Sequence, residues 1–466
     1  MTSIPGPILL LGLLLPVAGI TYLVRRWAIL AAFVAAATTG VLAFLCLRLP
    51  LDRSAFVLGQ EVALGRPVVV LGQTLQLDLA GQSWLAFIFV LATVFYVIAL
   101  LISQGRSFFP FSLAILALYA LSILLHVFSL SILMFTIGAT LAIFIIQGGQ
   151  LISVRGAQRY LLVSLLAAPL LLAAAWMVDP SLSGTQNAEI ARRVLLPASL
   201  GFGLLLAAFP FGTWMPAVAA DAPPIVAAFV FTAGQAVALF LVLVFLRDNP
   251  LILSDSAAVA VIQIAGLVMC VSGGIMAAVQ HDFGRLFGYA ALSDLGVLVL
   301  ALVVAGSQSV TLALLHAVGR SVSITLMATT LAILRHRAAT DGFDGLSGVA
   351  RRAPLTTLGL MLGGLALAGF PLTAGFPTHW AVYRAVSGEQ GLWALLLMGS
   401  SAGIIVGLLR GLNAMLAADG REDLARPPKM AWAMVLVLAV LTVVLGLYPQ
   451  LLLGSIQSVA QAFPLF

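Results

Sequence analysis

Apolar residues fall along this chain in runs of about 20 separated by short polar turns, the length that crosses the hydrocarbon core of a bilayer. Fourteen candidate spans result, at about 8–23, 28–47, 84–103, 109–126, 128–148, 157–178, 194–211, 224–245, 258–278, 285–306, 311–334, 354–386, 391–415 and 430–453. The pattern predicts an all-α polytopic membrane protein with residues 1–466 as a single membrane domain. Residues 50–80 alternate apolar and polar positions around Gly65-Arg66-Pro67 and Gly72-Gln73, which predicts a small β-hairpin on the membrane surface. The first run has neither a preceding basic residue nor a small-residue cleavage site, so a retained span is expected rather than a signal peptide.

Two of the runs are interrupted. Between Leu205 and Gln235 an apolar helix runs into Pro210, is expected to break over Gly212 to Pro216, carries the lone charge Asp221 and resumes after Pro223 and Pro224. Proline removes a backbone donor and clashes with the preceding turn, so one continuous helix cannot form there. A second break, Gly369 to Trp380, contains Pro371 and Pro377, and its Phe370-Pro371 echoes Phe209-Pro210. In hydrocarbon a broken helix persists only where protein or water satisfies the freed carbonyls. Paired breaks in two halves of a chain point to a repeat-built transporter.

Composition narrows the chemistry. At 62% hydrophobic and 8% charged, the chain is not a soluble globular protein. Its net charge of +6 is spread over loops and bears on orientation, with no nucleic-acid partner expected. Odd-numbered loops hold Arg25, Arg26, Arg106, Arg155, Arg159, Arg285, Arg335, Arg337, Arg351, Arg352, Arg410, Arg421, Arg426 and Lys429. Even-numbered loops hold only Arg48, Arg53, Arg66, Arg192, Arg193 and Arg247. The bias predicts both termini outside, in a bacterial inner (plasma) membrane. Cys46 and Cys270 lie inside apolar runs, so neither a disulfide framework nor a metal cluster is expected. No dinucleotide fingerprint, phosphate loop, metal-ligand spacing or catalytic triad occurs, and the chain is expected to bind no cofactor itself.

The only lysine, Lys429, and the four glutamates, Glu61, Glu189, Glu389 and Glu422, all fall between spans. The candidates for chemistry inside the membrane are therefore few. Arg320 lies mid-span and needs a partner at that depth; Asp294 is the evident one, as a fixed pair or as part of a relay. His316 precedes Arg320 by one turn on the same face, as a packing residue or a relay neighbour. His379 follows the second break and can switch charge near neutral pH, or can be held by freed carbonyls. Asp221 is expected to cap a half-helix of its own break and to meet that helix's N-terminal dipole.

Pro210-Phe-Gly-Thr-Trp-Met-Pro216 followed by Asp221-Ala-Pro223 resembles the Pro-Phe-His-x-Trp-x-Pro-Asp and Ala-Pro signature of the antiporter-like subunits of respiratory complex I. Gln280-His-Asp-Phe-Gly-Arg-Leu-Phe-Gly-Tyr289 with Ser293-Asp294-Leu-Gly296, and the run from Gly345 to Phe376, are similar to two further blocks of that family. The likeness covers about residues 80–415 and is most similar to the NADH-quinone oxidoreductase subunit N branch of the N/M/L family, which is related to multisubunit cation/proton antiporter subunits. It implies two inverted five-helix repeats, about 109–245 and 258–415, with broken helices 7 and 12 and a buried line of glutamate and lysines that passes protons.

Carried over position by position, the fifth-span glutamate falls at Gly138 and the seventh-span lysine at Leu205. The eighth-span lysine falls at Gln235, or at Ala236 on the spacing of the other branch. The lysine of the Asp-x-Lys-Arg block falls at Gly284, the twelfth-span lysine at His379, and the family's histidine at Asp294. Leucine, glycine and glutamine do not titrate, so the fold signature is kept while most of the relay is missing. The resemblance implies a membrane-arm subunit of a complex I-type oxidoreductase or membrane-bound hydrogenase, its proton translocation lost, weakened or rerouted through His379, Arg320, Asp294 and His316. Its implied partners are other membrane subunits and the bilayer, with NADH or ferredoxin, flavin, iron–sulfur clusters and quinone on those subunits. The alternatives are a component of a multisubunit cation/proton antiporter or inorganic-carbon uptake system, and a purely structural spacer.

Overall fold

The computed structural model describes residues 4–57, 59–148, 153–178, 188–388, 391–417 and 429–465. Glu389, Arg421, Glu422 and Arg426 lie outside the described residues. The fold is helical throughout the apolar runs. Eleven helices among the described residues are long and apolar enough to cross a bilayer, and Phe108–Leu124 and Pro354–Leu367 are shorter apolar helices. Aspartates start three of them, each accepting a backbone amide of the first turn: Asp78 from Gly81, Asp255 from Ala257 and Asp282 from Arg285. The Ala257 amide, helped by Arg192, holds the Asp255 carboxyl below its usual range. Burial instead lifts that of Asp282, against the pull of the Arg285 amide.

Burial separates central from peripheral helices. In the most apolar stretch of Pro224–Asp248, 94% of residues are buried, and 89% in Phe283–Val304, against 28% in Ser256–Ala278. With Ser309–Ala338, these central helices form the interior of the bundle and carry the residues of interest. Residues 55–75 form two hairpins where one was expected. Ala55–Val57 pairs antiparallel with Gln60–Ala63, which also takes Ile4–Pro5 as a parallel neighbour. Val68–Val70 pairs antiparallel with Gln73–Leu75. The turn at Leu71-Gly72, both with positive φ, closes the second pair, whose tip the alternation pattern alone does not separate from the first.

The two breaks are built alike. The helix Ala188–Leu205 ends before Pro210, passes Ala207 in the left-handed region (φ 56°) and a short 3₁₀ turn at Phe211–Thr213, then resumes as the half-helix Trp214–Asp221. The interruption thus lies earlier than expected, over residues 206–213. Pro216 belongs to the first turn of the resumed helix, where its missing N–H would have had no partner. The helix Pro354–Leu367 likewise gives way to a loop holding Pro371 and Leu372 (φ 69°), then resumes as Phe376–Ser387 with Pro377 in its first turn.

Asp221 departs from expectation. It sits at the C-terminal end of Trp214–Asp221, where a carboxylate meets the unfavourable end of the helix dipole. Its Oδ2 instead accepts the Gly156 amide (2.7 Å) and the Ser153 hydroxyl (2.8 Å), capping the start of the helix Arg155–Val178. The proline-bounded turn after Asp221 brings two elements 65 residues apart in sequence into contact. Asp221→Ala is expected to cost about 1 kcal/mol, the worth of a lost cap. Thermal unfolding in detergent should record the loss, and Asp221→Asn should recover most of it.

Candidate functional site

Four ionisable side chains converge beside the second break. Asp294 comes from Phe283–Val304, His316 and Arg320 from successive turns of Ser309–Ala338, and His379 from the first turn of Phe376–Ser387. Each is at most 3% exposed. Arg320 Nη1 donates to Asp294 Oδ2 (2.6 Å) and to the Ala291 carbonyl (2.9 Å). At this depth an unpaired guanidinium or carboxylate would cost several kcal/mol, and the pair removes that cost. The second carboxylate oxygen, Asp294 Oδ1, faces His316 Nε2 at 3.3 Å and His379 Nε2 at 3.8 Å. One face of the carboxylate is thereby neutralised while the other is presented to two imidazoles.

The imidazole hydrogen bonds assign their protons. His316 Nε2 lies 3.0 Å from the Asp294 backbone oxygen, which can only accept, so Nε2 carries hydrogen. His379 Nδ1 lies 2.9 Å from the Gly375 carbonyl, so that nitrogen donates and Nε2 is left facing Asp294. The Gly375 carbonyl belongs to the break, so the interruption itself orients His379. The ligand atoms of Asp294, His316 and His379 lie within 4.8 Å of one another, as in a metal site. The fit is poor for a divalent ion: His316 Nε2 is committed as a donor, and Arg320 already neutralises Asp294. A divalent ion would bring an uncompensated double charge into a low-dielectric interior. Asp294 Oδ1 has no hydrogen-bond partner among the described residues, so the oxygen that faces the two imidazoles keeps its lone pairs free.

The corresponding region of the first half is neutral. Gln235 Nε2 donates to the Leu205 carbonyl (3.0 Å), joining two of the positions at which the resemblance expects lysine. That carbonyl closes the helix ahead of the first break, and the glutamine supplies the donor it lost. A π-helical turn, Val230–Gly234, precedes Gln235. At Gly138 a Cβ would come within 2.9 Å of the Tyr119 ring, so the aromatic ring fills the space of the expected glutamate. The buried Trp214 Nε1 and Gln235 Oε1 have no hydrogen-bond partner among the described residues. Both residues line a space of about 10 Å³ for the centre of a water molecule, with Tyr160 and Ser164 on its wall. That is room for one water between a donor and an acceptor, not for a charged relay.

The Gly284 position also changes hands. A side chain there would run into the Arg335 guanidinium, and its Cβ would lie 2.5 Å from Asp341 Oδ2. Arg335, counted by sequence among the loop charges, lies in the last turn of Ser309–Ala338 with its side chain 15% exposed. It donates to the carbonyls of Ala219, Ala220 and Ala222 and to Asp341. The last carbonyls of Trp214–Asp221 are thus capped by a cation from the other half of the chain, in favourable register with the helix dipole. Sequence reasoning missed Arg335, Tyr119, Trp214 and Thr378, whose hydroxyl lies 2.8 Å from His316 Nδ1. Of these, Trp214 stood within the Pro210–Pro216 signature and Thr378 next to His379, which were the signals available.

The family profile described as "NADH:quinone oxidoreductase/Mrp antiporter, TM" matches residues 82–405. NADH-quinone oxidoreductase subunit N of Chromohalobacter salexigens is 31% identical over 264 residues, 54% of this chain and 54% of its own length. The matched stretch therefore spans about half the length of such a curated relative. A chain of the Mrp complex from Dietzia sp. DQ12-45-1b superposes with a TM-score of 0.83 at 16% identity, over 98% of this chain and 97% of its own. A chain of respiratory complex I from Thermus thermophilus with bound NADH gives 0.81 at 18% identity, over 98% and 99%. These likenesses extend the shared fold over nearly the whole chain.

Two stability outcomes follow from this geometry. Asp294→Ala strands Arg320 and is expected to destabilise by about 3–5 kcal/mol, whereas Asp294→Leu combined with Arg320→Met should be close to neutral. Thermal unfolding of the two variants measures the contrast. Gly138→Glu is expected to destabilise through its clash with Tyr119, and Tyr119→Ala in the same chain should recover part of the loss by opening the space.

Proposed function

Since the chain belongs to the NADH:quinone oxidoreductase/Mrp antiporter transmembrane family, we propose that it serves as an antiporter-like membrane-arm subunit of a complex I-type assembly, with proton movement rerouted through one half only. The observation that carries this reading is the meeting of Asp294, Arg320, His316 and His379 at the second break, opposite a first half whose corresponding positions are Gly138, Leu205 and Gln235. A proton path needs groups that change protonation, and among the described residues buried carboxylate and imidazole groups meet in the second half. The first half acts as a seal. Its two repeats would be residues 109–245 and 258–415, with the chain in a bacterial inner membrane and both ends outside.

The chain contributes no redox chemistry under this reading. NADH or ferredoxin, flavin, iron–sulfur clusters and quinone reside on partner subunits, and the membrane subunits pack against its exposed apolar faces. Gentle extraction followed by mass spectrometry of the intact complex should find it with other membrane and iron–sulfur subunits. Co-purification with cation/proton antiporter subunits alone would assign it to that assembly instead.

The transport role is tested in the intact complex reconstituted in vesicles, with a pH-sensitive dye inside. The apolar pair Asp294→Leu/Arg320→Met, which should fold, is expected to lower proton flux by about tenfold or more, the lower reach of lost acid–base participation. Gln235→Leu should leave flux unchanged. Flux untouched by the apolar pair would make the subunit a structural spacer.

A further inference from the structure

Thr378 stands between His316 and the outside of the cluster. It is 2% exposed and occupies the first turn of Phe376–Ser387. Its Oγ1 is 2.8 Å from His316 Nδ1 and 3.0 Å from the Gly375 carbonyl, and it has one hydrogen to give. Because His316 Nε2 already donates to the Asp294 carbonyl, a neutral His316 presents a bare Nδ1 and must receive the Thr378 hydrogen. A second proton on His316 can sit only on Nδ1. The ring then becomes the donor, and the threonine hydrogen turns to Gly375, the carbonyl that also holds His379. Thr378 therefore has a defined hydrogen-bond partner in either state of His316.

Behind Thr378 lies a second small cavity. It offers about 10 Å³ to the centre of a water molecule and is lined by Gly319, Ala374, Pro377, Leu445 and Pro449 as well as Thr378. That is space for one water centre, and Thr378 has the one polar side chain on a wall otherwise made by apolar residues, Leu315 and Leu452 included, so its hydroxyl is the side-chain group that a water entering there would bond. The other ionisable groups facing His316 are Asp294 and His379, with Arg320 behind Asp294. Tyr383 lies farther out against the His379 ring, its hydroxyl 2.6 Å from Ser401 Oγ.

We propose that Thr378 is the hydroxyl relay through which the cluster exchanges protons with water in this cavity, an inference that rests on the proton-moving role given above. In the inward step a hydronium in the cavity protonates Thr378 Oγ1 as the threonine hydrogen passes to His316 Nδ1. His316 then releases its Nε2 hydrogen to Asp294 Oδ1, from which it reaches His379 Nε2. One proton enters, one arrives at His379, and Thr378 and His316 finish neutral, His316 now carrying its hydrogen on Nδ1. The reverse sequence returns a proton to the cavity and restores the Nε2–H tautomer.

The test uses the whole complex in vesicles under an imposed potential, comparing wild type, Thr378→Val and Thr378→Ser. Valine keeps the shape and removes the hydroxyl; serine restores it. The relay predicts a loss of about tenfold or more for valine, equivalent to about 1.4 kcal/mol at the barrier, with serine close to wild type. Equal flux in wild type and Thr378→Val overturns the relay while leaving the transport role standing. If wild type moves no protons, the transport role fails and the relay falls with it. Nitrogen-15 resonance of His316 is a second check that needs no transport. Nδ1 must shift between wild type and Thr378→Val and return in Thr378→Ser, and an unchanged shift also overturns the proposal.

Discussion

Everything in the interior is arranged around one buried charge pair. Arg320 and Asp294 sit 2.6 Å apart where neither could remain charged alone. Their mutual neutralisation lets a carboxylate persist at the centre of a helical bundle, and its unused oxygen then faces two histidines. Remove the guanidinium and the carboxylate would bind a proton permanently; remove the carboxylate and the guanidinium would be stranded. The pair is therefore structural and chemical at once. What distinguishes it from an inert bridge is the imidazole side, where His316 and His379 face the second carboxylate oxygen.

The broken helices supply the other half of the logic. Each break frees carbonyls that hydrocarbon will not solvate, and side-chain donors meet carbonyls beside both. Gln235 donates to Leu205 ahead of the first break, Arg335 to Ala219, Ala220 and Ala222 at the far end of the half-helix after it, and His379 to Gly375, the carbonyl that opens the half-helix after the second. In the first half those donors are an amide and a guanidinium, which keep one charge state. In the second half the donor is an imidazole, which can change its own, and the proposed transport role rests on that difference. The asymmetry between halves is thus one of side-chain chemistry at equivalent backbone features.

Beside Gly284, where the resemblance expects a lysine, the space is filled by Arg335, which comes from another helix. Its guanidinium places a positive charge at the C-terminal end of Trp214–Asp221, where the helix dipole favours it. The family profile runs through both segments, but a position-by-position transfer along one segment cannot register a side chain that arrives from the other.

By itself the sequence determined that the chain is a bundle of apolar helices, that two of them are broken, and that lysine and glutamate keep away from the middle of the spans; the structure moves Lys429 and Glu189 from the turns expected for them into the first turns of helices. Those features depend on residues close in the chain: run length against bilayer thickness, and proline against the helix ladder. It also singled out Asp294, His316, Arg320 and His379, because ionisable residues inside apolar runs are few enough to name. Only the tertiary structure decided what each touches. Asp221 caps a helix 65 residues away instead of its own, Arg335 turns from the surface to the end of the half-helix Trp214–Asp221, and Thr378 reaches His316 from another span. These contacts are made between helices whose rotation and depth are set by packing, and periodicity along one segment carries no record of its neighbour's register.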